Sequence, residues 1–192
     1  MIKLQNKLVI IILTLILISF HDVKANSDIQ IEEFGKGAAK YWLIYNALDT
    51  NSKQRLIVFL HGYGASNPAC YGGWIRHLVE SGEVILFPKF QQGTFLPKPN
   101  KIERLVHESV ESSLNYLKNK HNTVFDEIIF IGHSIGGIIA ANLADEYGRT
   151  KKHYVAGLFL VQPGHKFLKL GRRSDYSEID SRTKIIIIIG NQ

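Results

Sequence analysis

The sequence predicts an α/β domain of three layers, a mostly parallel sheet with helices on both faces. Three observations lead there. Short runs such as Leu56–Leu60 (LIVFL) are apolar without polar alternation, the mark of strands buried on both faces, as parallel sheets covered by crossover helices require. Longer stretches between them place apolar residues at helical spacing. The two kinds then alternate along the chain, strand after helix, with no internal repeat and no linker. A chain of 192 residues, 45% hydrophobic and 21% charged, has the composition of one globular core.

The first residues stand apart from that core. Lys3 and Lys7 precede an uncharged apolar stretch over residues 8–20, and a polar patch ends in Val23-Lys24-Ala25. This is the pattern of a secretory signal cleaved after Ala25, which makes residues 1–25 the signal and 26–192 the domain, exported to a periplasm or the extracellular space. The stretch falls short of the roughly 20 residues a membrane span needs. Membrane contact is expected only if this segment stays uncleaved, in which case the chain would be a tethered module.

The elements then follow in order. A strand is expected over residues 41–47, a polar turn over 49–54, and a strand at Leu56–Leu60. Residues 74–79 read as a helix stopped by Ser81-Gly82, and 84–87 (VILF) as the next strand. Residues 88–100 carry three prolines and read as a loop. From 102 to 117, apolar residues at 102, 105, 106, 110, 114 and 117 predict an amphipathic helix. A strand at 128–131, a helix at 138–147 and a strand at 158–161 follow. Last comes a run of isoleucines over residues 185–189, which needs cover on both faces; left as an unprotected sheet edge it is an aggregation hazard.

Charge and cysteine usage exclude several classes. The net charge is only +6, and the basic residues are scattered with no aromatic-interleaved stripe, so no nucleic-acid face is expected. The single cysteine, Cys70, has no internal disulfide partner and reads as a packed thiol. No His and carboxylate spacing resembles a metal ligand set, and residues 132–137 lack the spacing of a dinucleotide or phosphate loop; no cofactor is expected.

Ligands in open α/β sheets bind beyond the carboxyl ends of the strands, so the loops opening at His61, Pro88, Gly132, Gln162 and Gly190 matter most. Two of them carry motifs. Gly132-His133-Ser134-Ile135-Gly136 lies between a predicted strand and a predicted helix, the context of a nucleophile elbow. Glycine is required at 132 and 136 because backbones meet around so sharp a turn. Ser134 is thereby lifted above the sheet, and the N–H of Ile135 opens the helix. His61-Gly62-Tyr63-Gly64 leaves a strand with glycines that let its backbone curl toward the same point, where the N–H of Tyr63 would be a second donor to an oxyanion. Tyr71 and Trp74 are candidates for a pocket lining, although aromatic residues near a helix start commonly belong to the core.

The pair HGYG and GHSIGG resembles the α/β-hydrolase superfamily, particularly its serine esterase, lipase and dienelactone-hydrolase-like branches, over residues 31–192. The resemblance implies hydrolysis of a small-molecule ester or lipid through an acyl-enzyme on Ser134, with the amides of Tyr63 and Ile135 as the oxyanion hole and His61, Gly62, Gly64, Gly132, His133 and Gly136 as motif support. It also implies a later carboxylate and a later histidine, in that order.

Those two partners are hard to find. His153 sits at the amino end of a predicted strand. His165 lies at the right end but too early in the chain. Asp175 and Asp180 precede the isoleucine strand, and Asp145 and Glu146 are expected to face solvent behind the serine. The acid and base of the triad therefore read as missing, and the chain as a hydrolase fragment with an incomplete domain, inactive or nearly so alone. The competing expectation is a non-catalytic exported binding protein that keeps the pocket without the proton relay.

Overall fold

The computed structural model describes residues 29–46, 54–164 and 175–190. The expected signal over residues 1–25 lies outside them, as do residues 47–53 of the strand and turn expected there. The elements run β1 (Gln30–Phe34), β2 (Tyr41–Tyr45), β3 (Leu56–Leu60), α1 (Gly72–Glu80), β4 (Val84–Pro88), α2 (Pro99–His121), β5 (Glu127–His133), α3 (Ile135–Thr150), β6 (Tyr154–Val161) and β7 (Lys184–Ile188), with single 3-10 turns at Gly37–Ala39 and Pro68–Tyr71.

One seven-stranded sheet holds them, in the order β1-β2-β4-β3-β5-β6-β7. The β1–β2 and β2–β4 pairs are antiparallel and every other pair is parallel. Strand β1 was not expected from sequence: QIEEF carries two carboxylates and lies at the sheet edge, largely exposed, so it lacks the continuous apolar run of a central strand. By contrast β3 and β4 are buried along their whole length, as uninterrupted apolar strands in a covered sheet must be.

Cover comes from both sides. On one face α2 and α3 pack against Leu56, Val58, Leu60, Ile128, Phe130, Leu158 and Leu160 through Ile102, Val106, Val110, Leu117, Ile139 and Leu143. On the other, α1 inserts Ile75 and Val79 among Ile57, Phe59, Ile85, Phe87 and Ile131. Helix α2 starts inside the predicted loop because Pro99 is suited to a first turn, whose N–H groups lack helical acceptors in any case. It ends at Asn122 in the left-handed conformation (φ 53°), with Lys118, Lys120 and His121 in its last turn facing the negative end of the helix dipole.

The strand order reverses at β3. Chain leaving β3 goes to β4 on one side, and chain leaving β4 returns through α2 to β5 on the other. The crevice between the carboxyl ends of β3 and β5, where Leu60 pairs with Gly132, is thus the switch point at which such sheets hold ligands. Beside β6, β7 breaks the expectation of cover on both faces: its isoleucines stay exposed, Ile186 at 57% for example, as does Ile189 just after the strand at 76%.

Candidate active site

The turn from β5 into α3 is built by two glycines whose Cβ positions are already occupied. A side chain at Gly132 would overlap the carbonyl of Gly136, and one at Gly136 would overlap the carbonyl of Leu60. Between them Ser134 has φ 53° and ψ −119°, a region L side chains avoid at a cost of about 1–3 kcal/mol. Its N–H is held by the carbonyl of Val161 on the neighbouring strand at 2.9 Å, so the sheet itself maintains the strain. The hydroxyl stands half-buried at the start of α3, and no described residue hydrogen-bonds it. The N–H of Ile135 begins the helix, where no carbonyl of the preceding turn exists to accept it.

The loop after β3 comes against this turn. A Cβ on Gly62 would stand 2.7 Å from Nδ1 of His133 and 3.5 Å from Cβ of Ser134, so only glycine permits so close an approach. Residues 62–65 form a β-turn closed by the N–H of Ala65 on the carbonyl of Gly62 at 3.1 Å, with Gly64 at φ 79°, as the third residue of a type II turn demands. The amides on either side are engaged: Gly62 donates to the hydroxyl of Tyr71 at 2.8 Å, and Gly64 to Oε1 of Gln91 at 3.0 Å. That of Tyr63, between them, has no acceptor among the described residues. The Tyr63 side chain points outward, its hydroxyl donating to the carbonyl of Thr94.

The two motif histidines brace the site, His61 through backbone carbonyls and His133 through the Tyr71 side chain. His61 is fully buried, its ring stacked on Phe90 with centroids 3.9 Å apart and on Phe87 at 5.7 Å. Its Nδ1 faces the carbonyl of Gly62 at 2.7 Å and its Nε2 the carbonyl of Lys89. Burial pushes its pKa below the usual histidine value, against the smaller opposing pull of those two carbonyls. A neutral ring carries one N–H and satisfies one of them at a time. His133 receives the phenol of Tyr71 at its Nδ1, 3.0 Å away, and this same phenol, buried enough to raise its own pKa, accepts from Gly62.

Tyr71 and Trp74, candidates for a pocket lining or for the core, pack on Phe59 at 4.8 and 5.1 Å, Trp74 also meeting Phe159; the Tyr71 hydroxyl is committed to the two motif loops. Asp145 was expected in solvent but is buried, held by Arg149 at 2.7 Å and accepting the N–H of Glu178, because the segment before β7 crosses the end of α3. Asp180 pairs with Arg182 and precedes the amino end of β7, opposite the serine. His153 binds Glu111 at 2.6 Å at the same remote end. His165 lies outside the described residues. Sequence reasoning missed Gln91 and took Phe90 for part of a pocket wall: Gln91 is fully buried and joins Gly64 to the carbonyl of Gly93, and Phe90, also fully buried, takes φ 31° to lie under His61. Nothing in KFQQG marks either as a brace.

Comparisons with known proteins bear on the fold. The family model described as the alpha/beta hydrolase fold matches residues 55–178. A search of curated proteins found no match. Among solved structures, the carboxyl esterase 2 of the mycorrhizal fungus Tuber melanosporum shares 18% identity, with a TM-score of 0.55 over 74% of this chain and 47% of that one. A bacterial heroin esterase shares 16%, with a TM-score of 0.53 over 78% of this chain and 49% of that one. Esterase B of Lactobacillus rhamnosis, described with a tributyrin phosphonate inhibitor, shares 17%, with a TM-score of 0.51 over 84% and 57%. The chain thus spans about half the length of these structures. Two glycine-built loops meeting at the strand switch point, together with a family match covering most of the described sheet, establish that this chain belongs to the alpha/beta hydrolase fold family.

Proposed function

We propose that this chain carries the nucleophile and oxyanion half of a serine ester-hydrolase site, acting on small-molecule esters or lipids after export. The observation that carries the reading is the backbone of Ser134, held at φ 53° where only a requirement for an outward hydroxyl explains keeping a side chain. In this reading the Ser134 oxygen bonds to the ester carbonyl carbon, and the carbonyl electron pair moves onto its oxygen. The N–H groups of Ile135 and Tyr63 stabilise that oxyanion, each worth on the order of 3 kcal/mol of barrier. The alcohol leaves as the tetrahedral adduct collapses, and water later releases the acid.

The serine proton needs an acceptor. Among the described residues the histidines nearest in the fold are committed: His133 to Tyr71, His61 to two carbonyls. Turnover by this chain alone is therefore proposed to lie near background. The ester chemistry draws support from the fold neighbours, described as esterases. A second reading, an exported binding protein without catalysis, is favoured by the same commitment of the nearby histidines among the described residues.

Purified chain assayed with short and long p-nitrophenyl esters beside Ser134→Ala separates the two. Slow Ser134-dependent acylation, or fluorophosphonate labelling lost in Ser134→Ala, supports the hydrolase reading. Ester binding by both proteins without labelling supports the binding protein. Fast turnover abolished by Ser134→Ala would show that a working base exists in this chain.

A further inference from the structure

An amide donor stabilises an oxyanion only if its turn stays where the charge develops. The turn over residues 62–65 follows β3, and the sheet order β4-β3-β5 sets the segment after β4 on one side of it and the serine turn after β5 on the other. On the β4 side it meets a buried amide. Gln91 has no exposed surface; its Oε1 accepts the N–H of Gly64 at 3.0 Å, and its Nε2 donates to the carbonyl of Gly93 at 2.8 Å. A neutral side chain with one acceptor and one donor satisfies both partners, which also fix the way the amide faces.

The base of this link is itself anchored. Residues 92–95 form a second turn, closed by the N–H of Phe95 on the carbonyl of Gln92 at 3.1 Å, and Thr94 within it accepts the Tyr63 hydroxyl at 2.8 Å. Just before it, the N–H of Lys89 donates to the carbonyl of Lys40 at 2.8 Å, and Phe90 is stacked on His61. The two turns are thus joined twice, once through Gly64 and once through the Tyr63 side chain.

We infer that Gln91 is a positioning residue for the oxyanion hole: it engages the N–H of Gly64 and so holds the turn in which the N–H of Tyr63, one peptide earlier, is the free donor. The inference rests on the serine-hydrolase reading of this site. Two glycines leave residues 62–65 a second closed form, a type I turn with the same Ala65 bond and the Tyr63–Gly64 peptide turned over. Gln91 opposes that form, because the Tyr63 carbonyl would then face Oε1, acceptor against acceptor.

The test uses the full chain, with urea midpoints to fix conditions where every variant is folded. Gln91→Met keeps the volume and removes both bonds. It is expected to speed amide hydrogen exchange at Gly64 by about 10-fold or more, and to slow fluorophosphonate labelling of Ser134 on the order of 10-fold. Gln91→Glu retains an acceptor for Gly64 and is expected to recover most of both. Should Gln91→Met fail to fold, Tyr63→Phe removes only the bond to Thr94 and is expected to slow labelling by a few-fold. Unchanged Gly64 exchange or unchanged labelling in folded Gln91→Met, no recovery in Gln91→Glu, or, where Tyr63→Phe is the test, its labelling at the wild-type rate would each overturn the inference. A wild type that is not labelled at Ser134 overturns the hydrolase reading and the oxyanion role with it, while Gly64 exchange still reads whether Gln91 holds the turn.

Discussion

The hydroxyl of Tyr71 lies 3.0 Å from Nδ1 of His133 while accepting the N–H of Gly62, so one phenol from the turn before α1 ties the loop after β3 to the residue preceding Ser134. Tyr71→Phe keeps the ring packing on Phe59 and removes both bonds. It is expected to cost about 1–2 kcal/mol, read from the urea midpoint at unchanged slope. Fluorophosphonate labelling of Ser134, where it occurs, is expected to slow as well, which loss of stability alone does not produce in fully folded protein.

The glycines separate into two kinds. Gly136→Ala drives a methyl into the carbonyl of Leu60, backbone against backbone, and is expected to cost on the order of 3 kcal/mol. Gly73→Ala, in α1, meets nothing within 4 Å and is expected to stabilise by about 0.5 kcal/mol through the unfolded chain. Thermal melts of the two variants moving in the same direction would contradict the close approach of β3 and α3.

Strain at Ser134 gives a prediction of opposite sign to the usual mutation. Ser134→Gly relieves the positive φ and is expected to raise stability by about 1 kcal/mol, whereas Ser134→Ala keeps the strain and is not. Equal urea midpoints for the two variants would mean that the turn is relaxed.

Acid should loosen the fold before carboxylates titrate. Burial holds the pKa of His61 below its unfolded value, and that of His107 likewise, with Lys152 adding to the effect. Each contributes stability that is complete above about pH 6.5 and is lost as pH falls through the folded pKa, since the unfolded chain takes up the proton first. Denaturation midpoints are expected to fall from pH 7.5 to pH 5. The slope should lessen in His61→Asn and in His107→Gln, and a flat profile in wild type would contradict the burial of both rings.

The sequence by itself determined the mostly parallel sheet, the succession of its main strands and helices along the chain, and the serine turn. Each follows from short-range rules: apolar runs declare burial on both faces, and glycines two residues from a serine declare a corner with no room for side chains. It also marked the isoleucine run as a strand in need of cover. Only the tertiary structure decided the edge strand β1, whose Glu32 and Glu33 hide it from any apolar pattern. Only there do Tyr71, Phe90 and Gln91 become braces and Asp145 a buried ion. Their roles depend on partners up to 62 residues away, as for Tyr71 and His133, and a polar side chain carries no local sign of the acceptor that folding will bring to it.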